Sequence, residues 1–186
     1  MNRFIIAGVL LLLPVAAGCG GSDGASFADA EWRLRCPASG EGLCTANGPA
    51  REIVAEEGDP GFLVECSTHD AGEGLTLFRM RIGVEEDGGG RAMLVLDDLV
   101  FDEGYDISGG SVQVREYGES SPFVGTLGDD CEMPSFARVE TDHGPAYAGE
   151  VRCTGMAPDA TPTRQRDLTS PDSASEPAAF SISRCD

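Results

Sequence analysis

The sequence predicts an all-β domain, a single antiparallel β-sandwich or jelly-roll-like fold stapled by disulfides, and three observations carry that expectation. About nine short runs alternate apolar with polar residues, which is the period of a half-buried strand. Clusters of Gly, Asp and Pro separate the runs, and no stretch carries a helical period. Beyond residue 19 the cysteines are Cys36, Cys44, Cys66, Cys131, Cys153 and Cys185, an even set of the kind that staples small extracytoplasmic domains.

The elements follow in order. Trp32, Leu34 and Cys36 alternate with Glu31, Arg33 and Arg35, so a strand begins near Glu31 and places Trp32 in the core. Arg51 to Glu56 is expected to form a hairpin with Phe62 to Ser67 about the turn Gly58-Asp59-Pro60-Gly61. Phe62, Val64 and Cys66 share one face, so Cys66 points inward, as Cys36 does. Leu75 to Glu85 and Arg91 to Phe101 flank Gly88-Gly89-Gly90 and make the clearest hairpin; Ala92 to Leu96 is apolar on both faces, which marks a central strand. Ser111 to Tyr117 and Phe123 to Leu127 are further strands. Phe136 to Thr141 and Tyr147 to Thr154 flank Asp142-His143-Gly144-Pro145, and their hairpin brings Cys131 almost opposite Cys153. Residues 157–179 are rich in Pro, Ser and Thr without an apolar period and read as a long loop, after which Phe180 to Cys185 returns as the last strand.

Six cysteines allow fifteen connectivities. The preferred set is Cys36 with Cys44, Cys66 with Cys185 and Cys131 with Cys153, and Cys36 with Cys66 competes because both face inward. Zinc is the other use of such residues, but no Cys-x-x-Cys occurs.

The chain opens with Asn2 and Arg3, an apolar run from Phe4 to Leu13, the breaker Pro14, and then Ala16, Ala17 and Gly18 before Cys19. Residues 1–18 therefore read as a secretory signal peptide, too short for the roughly 20 apolar residues of a spanning helix. Gly18 and Cys19 resemble the end of the bacterial lipoprotein signal, in which a small residue precedes the cysteine that receives diacylglycerol; Ala16 stands where that family most often has Leu. The resemblance implies that Cys19 is acylated and becomes the mature N-terminus, that 19–30 is a flexible tether, and that 31–186 is a β domain held to the membrane through lipid. Acylation also removes the seventh cysteine from the disulfide count. Gly20 in place of Asp implies, by the same resemblance, the outer membrane of the cell envelope more than the inner. Cys131 with Gly149-Glu150-Val151-Arg152-Cys153-Thr154-Gly155 also resembles the disulfide-bearing strands of LpqH-type lipoprotein antigens of mycobacteria, which implies a small β domain on a lipid anchor.

The formal charge is −19, and all 13 basic residues are Arg. Such a chain is repelled by phosphate backbones and anionic headgroups, so nucleic acid is not an expected partner and the lipid does the anchoring alone. Candidate chemistry is sparse. His69 beside Asp70 and His143 beside Asp142 are both expected in polar turns, and no Gly-x-Ser-x-Gly elbow nominates a serine for a triad. Asp97, Asp98, Asp102, Glu103 and Asp106 crowd one strand end, where calcium at weak affinity is the alternative to a solvated acidic face. Gly88 to Gly90 lacks the Lys-Ser or Lys-Thr of a phosphate loop, and no cofactor is expected. These readings lead to a non-enzymatic, lipid-anchored envelope protein that binds or scaffolds an envelope protein or glycan. The alternatives are a calcium-assisted glycan-binding module and a hydrolase using His69 or His143.

Overall fold

The computed structural model describes residues 24–38, 44–86, 90–158 and 164–185. The expected leader, Cys19 and residues 20–23 of the expected tether lie outside them. The described residues form eleven strands in two antiparallel sheets, with no helix.

The first sheet contains β1 (Phe27–Arg35), β2 (Arg51–Glu56), β8 (Cys131–Thr141), β9 (Gly144–Met156), β10 (Arg166–Thr169) and β11 (Ala178–Ser183). β2 pairs with β1 on one side. On its other side β1 pairs first with β11 and then with β10, and β9 pairs with the same two strands before β8 closes the sheet. β11 and β10 thus share one position end to end. The second sheet is a meander of β3 (Phe62–Gly72), β4 (Leu75–Glu86), β5 (Gly90–Phe101), β6 (Ile107–Arg115) and β7 (Phe123–Thr126), with β5 in the centre as its two apolar faces predict. The consecutive order of this sheet makes the molecule a sandwich without jelly-roll crossovers within it.

Three expectations need correction. β2 does not form a hairpin with β3; it pairs with β1 from Phe27↔Glu56 to Trp32↔Arg51, while β3 pairs with β4. The 6 residues of β2 are a poor match for the 11 of β3, which finds a 12-residue partner in β4. The turn Gly58 to Gly61 therefore carries the chain from one sheet to the other. β1 begins at Phe27, four residues before Glu31, because Ala28 and Ala30 are inward positions filled by small side chains, 0% and 2% exposed. Their size disguises a strand as a tether. Residues 166–169, inside the expected 157–179 loop, form β10 with Leu168 fully buried. Four residues are too few to show a period, and β10 is fixed by partners on both sides. Residues 159–163 of that expected loop lie outside the described residues; between β10 and β11, Arg35 donates from Nη2 to the carbonyls of Ser170 (3.1 Å) and Pro171 (2.6 Å), and from Nε to Thr169 Oγ1 (2.9 Å) in β10.

The inward faces of both sheets form one core. At the end where β1 begins, the core is aromatic: Phe78 and Phe101 from the meander meet Phe136 and Tyr147 from the first sheet, with ring centroids 5.0 to 5.8 Å apart. Tyr147 lies opposite Ile182, which in turn lies opposite Ala28.

Three disulfides join Cys36 to Cys44, Cys66 to Cys185 and Cys131 to Cys153. Cys131 and Cys153 are directly opposed across β8 and β9. Gly125 on β7 faces that bridge, and a Cβ there would overlap the sulfur of Cys131. Cys66 to Cys185 spans 119 residues and ties the edge strand of the meander to the end of β11 in the other sheet. In the chain-entropy account a loop of that length is worth about 4 to 5 kcal/mol.

Candidate functional site

The residues singled out by chain order do not converge. Asp98 has a positive φ of 54° at a break in the β5–β6 register, and Arg79 lies between it and Asp97, donating from Nε to Asp98 Oδ1 at 2.9 Å and approaching Asp97 Oδ1 at 3.2 Å. Asp102 is occupied by its own turn, its Oδ1 accepting from the backbone N–H of Gly104 (2.8 Å) and of Asp106 (3.0 Å). Among the described residues no group of three or more His, Cys, Asp or Glu is placed to hold a metal ion. Asp97 and Asp98 are both turned to Arg79 at the register break and Asp102 is committed to the turn that holds Asp106, so the crowd of acids in sequence does not become a set of carboxylates free to share an ion.

His69 lies within β3, opposite Leu77, and not in a turn. His143 does occupy the β8–β9 turn, where its ring stacks on Phe27 at 3.5 Å between centroids. Among the described residues neither ring hydrogen-bonds to a serine or a carboxylate, and the two lie on different sheets.

A different set of charges does converge, at the end of the sandwich where β1 finishes. Arg51 opens β2 and lies opposite Trp32 on β1. Its Nη2 and Nε donate to Glu116 Oε2 at 2.7 and 3.2 Å, and its Nη1 donates to Glu86. Glu86 ends β4 and Glu116 follows β6, so this arginine clamps the first sheet to the meander. The side chains of Arg51 and Glu116 are only 11% and 10% exposed. Burial pushes the Glu116 carboxyl above the ordinary glutamate value; Arg51, by hydrogen bond and charge, pulls it back, and the charge of Glu86 pushes it up again. For Arg51 burial works against the charged form, but Glu116 and Glu86 outweigh it and the pKa ends above its ordinary value.

Both Arg51 hydrogen bonds to Glu116 reach the same oxygen. Glu116 Oε1 is buried without a partner among the described residues, and so is the indole N–H of Trp32. Trp32 lies near enough to Glu116 to favour its charged form slightly, yet the two do not reach hydrogen-bond geometry. One donor and one acceptor are therefore left side by side in the core.

Arg51, Glu86 and Glu116, though not Trp32, line a cavity of about 310 Å³. One wall is the loop before β2, held to the end of β1 where the backbone N–H of Gly48 donates to Leu34 O (2.8 Å), Arg33 Nε donates to Gly48 O (2.8 Å) and Cys36 N–H donates to Asn47 Oδ1 (2.9 Å). The Cys36–Cys44 disulfide closes the base of that loop. The opposite wall carries Tyr117, half exposed with its ring against Gly90, where any Cβ would overlap it. Glu119 accepts from Arg164 Nη2 through both oxygens, at 2.7 and 2.9 Å. Arg166 lies over the ring of Phe123 at 5.6 Å, and burial lowers its pKa. It has no carboxylate within ion-pair distance among the described residues, its Nη1 donating only to Gln165 O.

The sequence holds a signal for this site that strand-by-strand reading passes over. Glu116 continues the inward series Val112, Val114; Glu86 continues Ile82, Val84; and Arg51 begins the inward series Ile53, Ala55. A charge in phase with a buried apolar series is the mark of a polar layer in the core. Each such charge is 30 or more residues from the next, so no local motif announces them.

Comparison with family models, with curated proteins and with solved structures finds no match for the chain.

Proposed function

We propose that this chain is a lipid-anchored protein of the bacterial cell envelope, more suited to the outer membrane than the inner, and that its sandwich is a binding or scaffolding domain whose ligand site is the polar cavity at the end of β1. The observation that carries the anchoring is Ala16-Ala17-Gly18-Cys19 at the close of an apolar leader, with every other cysteine of the chain committed to a disulfide. Disulfides suit the oxidising side of a bacterial membrane. Seven residues separate Cys19 from the first strand, a span of at most about 25 to 30 Å. Ser26 is pinned to the ends of two other strands, accepting from the backbone N–H of Glu57 (2.7 Å) and donating from Oγ to Arg184 O (3.1 Å). A lipid on Cys19 thus holds the start of β1 near the bilayer and presents the cavity at the other end of the strand to the surrounding envelope.

Mass spectrometry of the N-terminal peptide from membrane-extracted protein tests the anchoring directly. The expected result is a Cys19 carrying diacylglyceryl and acyl mass, with Cys19→Ala moving the protein from the membrane to the soluble fraction. An unmodified Cys19 thiol in the mature protein overturns the proposal. Separation of inner and outer membranes tests the placement.

A further inference from the structure

We infer that the flank of the sandwich between β6 and β8 is a docking groove for a short extended segment of another protein, which lies along Ile107–Gly109 of β6 and places a basic side chain beside Asp106. The groove is separate from the cavity at the end of β1, and neither reading rests on the other.

The groove follows from a mismatch of strand lengths. β6 has 9 residues and its outer neighbour β7 only 4, so β7 covers β6 from Ser111 to Val114 and no further. Over that half the flank is shut, because Ala157, just after β9, exchanges hydrogen bonds with Val124 at 3.1 and 3.4 Å. Beyond it Leu127 N–H reaches Gly110 O (3.0 Å), Gly128 N–H reaches Cys131 O (2.9 Å), and the chain leaves for β8. Ile107, Ser108 and Gly109 keep β5 as their one strand neighbour. On the facing sheet β8 is the edge strand, and its pairing with β9 skips Met133 and Pro134. The two interruptions together line a cavity of about 610 Å³.

The main chain decides that the occupant is extended. An uncovered strand edge offers N–H and C=O groups that a further strand satisfies. Pro134 has no N–H and sits in the bulge, so β8 is the poorer template and β6 the better one. Gly104, Gly109 and Gly128 line the groove without side chains to bar the approach of a backbone.

The side chains decide its chemistry. Tyr105, Ile107, Leu127, Met133 and Phe136 make an apolar wall. Tyr105 has a positive φ of 64°, a region where a bulky residue is uncommon, and its ring stacks on Phe101 at 5.6 Å and meets Phe136 edge-on at 6.2 Å. A thioether and aromatic rings suit the apolar stem of a long basic side chain. The charged residues of the lining are Asp106 and Glu132, with no Arg among them. Glu132 is shared with Arg152, whereas the Asp106 carboxylate has no hydrogen-bond or ion-pair partner among the described residues. An acidic segment is repelled by both and by the chain's charge of −19, and a second copy of this chain carries that same charge. Arginine or lysine on the incoming strand answers Asp106.

The full-length, detergent-solubilised protein is titrated by calorimetry with acetyl-Thr-Val-Arg-Val-Thr-amide, with the same peptide carrying Glu for Arg, and with acetyl-Arg-amide. The expected result is saturation by the Arg peptide, none by the Glu peptide, and binding of acetyl-Arg-amide weaker by about tenfold or more. Asp106→Asn is expected to weaken the Arg peptide about tenfold. Gly109→Phe is expected to abolish its binding: a Cβ there meets open space and the φ is not left-handed, so the ring enters the groove with the fold intact, which an unchanged melting temperature verifies. If that variant loses its fold, Asp106→Asn, at an exposed residue, decides alone. Bound peptide also slows hydrogen exchange at the amides of Ile107–Gly109. Failure of the Arg peptide to saturate, or saturation indifferent to these variants, overturns the inference. Equal binding of acetyl-Arg-amide makes the groove a small-cation site and overturns the strand, and equal binding of the Glu peptide overturns the charge assignment. Self-association that Gly109→Phe removes gives the groove to a second copy and overturns the partner.

Discussion

The two ends of the sandwich are built from the same strands and closed in opposite ways. Where β1 begins, the inward series of β4, β5, β8 and β9 finish in Phe78, Phe101, Phe136 and Tyr147, and the Cys66–Cys185 bridge ties the sheets covalently. Where β1 ends, the inward series of β2, β4 and β6 finish in Arg51, Glu86 and Glu116. Ring packing there leaves no buried side-chain polar atom without a partner among the described residues. The ion cluster holds the sheets together too, but leaves Trp32 Nε1 and Glu116 Oε1 without a partner among the described residues, and its charged side chains line a cavity. Stability is concentrated at the end where β1 begins and chemical potential at the other.

The sharpest way to break this contrast is to cut the bridge at the end where β1 begins. Replacing Cys66 and Cys185 together by Ala is expected to lower unfolding free energy by about 4 to 5 kcal/mol, read as a fall in the urea midpoint. A loss below that expected from an Arg51 variant puts the main clamp at the wrong end.

At the cavity end, Arg51→Ala strands Glu116 in the core beside Glu86. The expected cost is about 3 kcal/mol, since removing one partner of a buried pair leaves an uncompensated charge. A cost within a few tenths of a kcal/mol means that the cluster is solvated and not a clamp. Glu116→Gln separates charge from shape. Burial raises the carboxyl of Glu116 in the folded state above the ordinary value of 4.5, so the fold binds its proton more readily than the unfolded chain does. The stability gained from that proton is present in full below the ordinary value and is lost as pH rises through the raised one. The native protein is therefore expected to gain melting temperature relative to Glu116→Gln as pH falls from 7 towards 4.5, and a difference that stays flat or shrinks contradicts the assignment.

The contrast between the ends explains what could be read from the sequence. Period-two alternation is local, so Val112 and Val114, or Ala92 and Leu94, declare their face without knowledge of a partner, and the order of the strands along the chain then places Cys131 opposite Cys153. Pairing between distant segments is not local. β2 looks like half of a hairpin until the greater length of β4 competes for β3, and β10 is invisible until β1 and β9 are both beside it. The ion cluster is hidden more deeply. Glu116 reads as one more acid among 32 unless its phase with Val112 and Val114 is followed one step beyond the apolar run. The crowd of acids at Asp97 to Asp106 is the more conspicuous in the sequence, because density along a chain is easier to see than position on a face.

Those acids supply the smallest expected effect and a control for the comparison. They lie towards the end where β5 finishes and the aromatic cluster begins, but on the outside. Asp97 and Asp98 share Arg79, whose charge already answers them, and Asp102 spends an oxygen on its own turn. Calcium at this location has to displace Arg79 and gather six to eight oxygens where no three candidate ligands are placed together among the described residues. Millimolar calcium is accordingly expected to leave the melting temperature unchanged, in the native protein and in Asp98→Asn alike. A rise reversed by a chelator, and abolished in Asp98→Asn, assigns a ligand to the end where β1 begins and dissolves the division between a closed end and a receptive one. If calcium is without effect while Arg51→Ala is costly, the charges that matter are the few placed in phase with the core, and the many outside it keep the domain soluble.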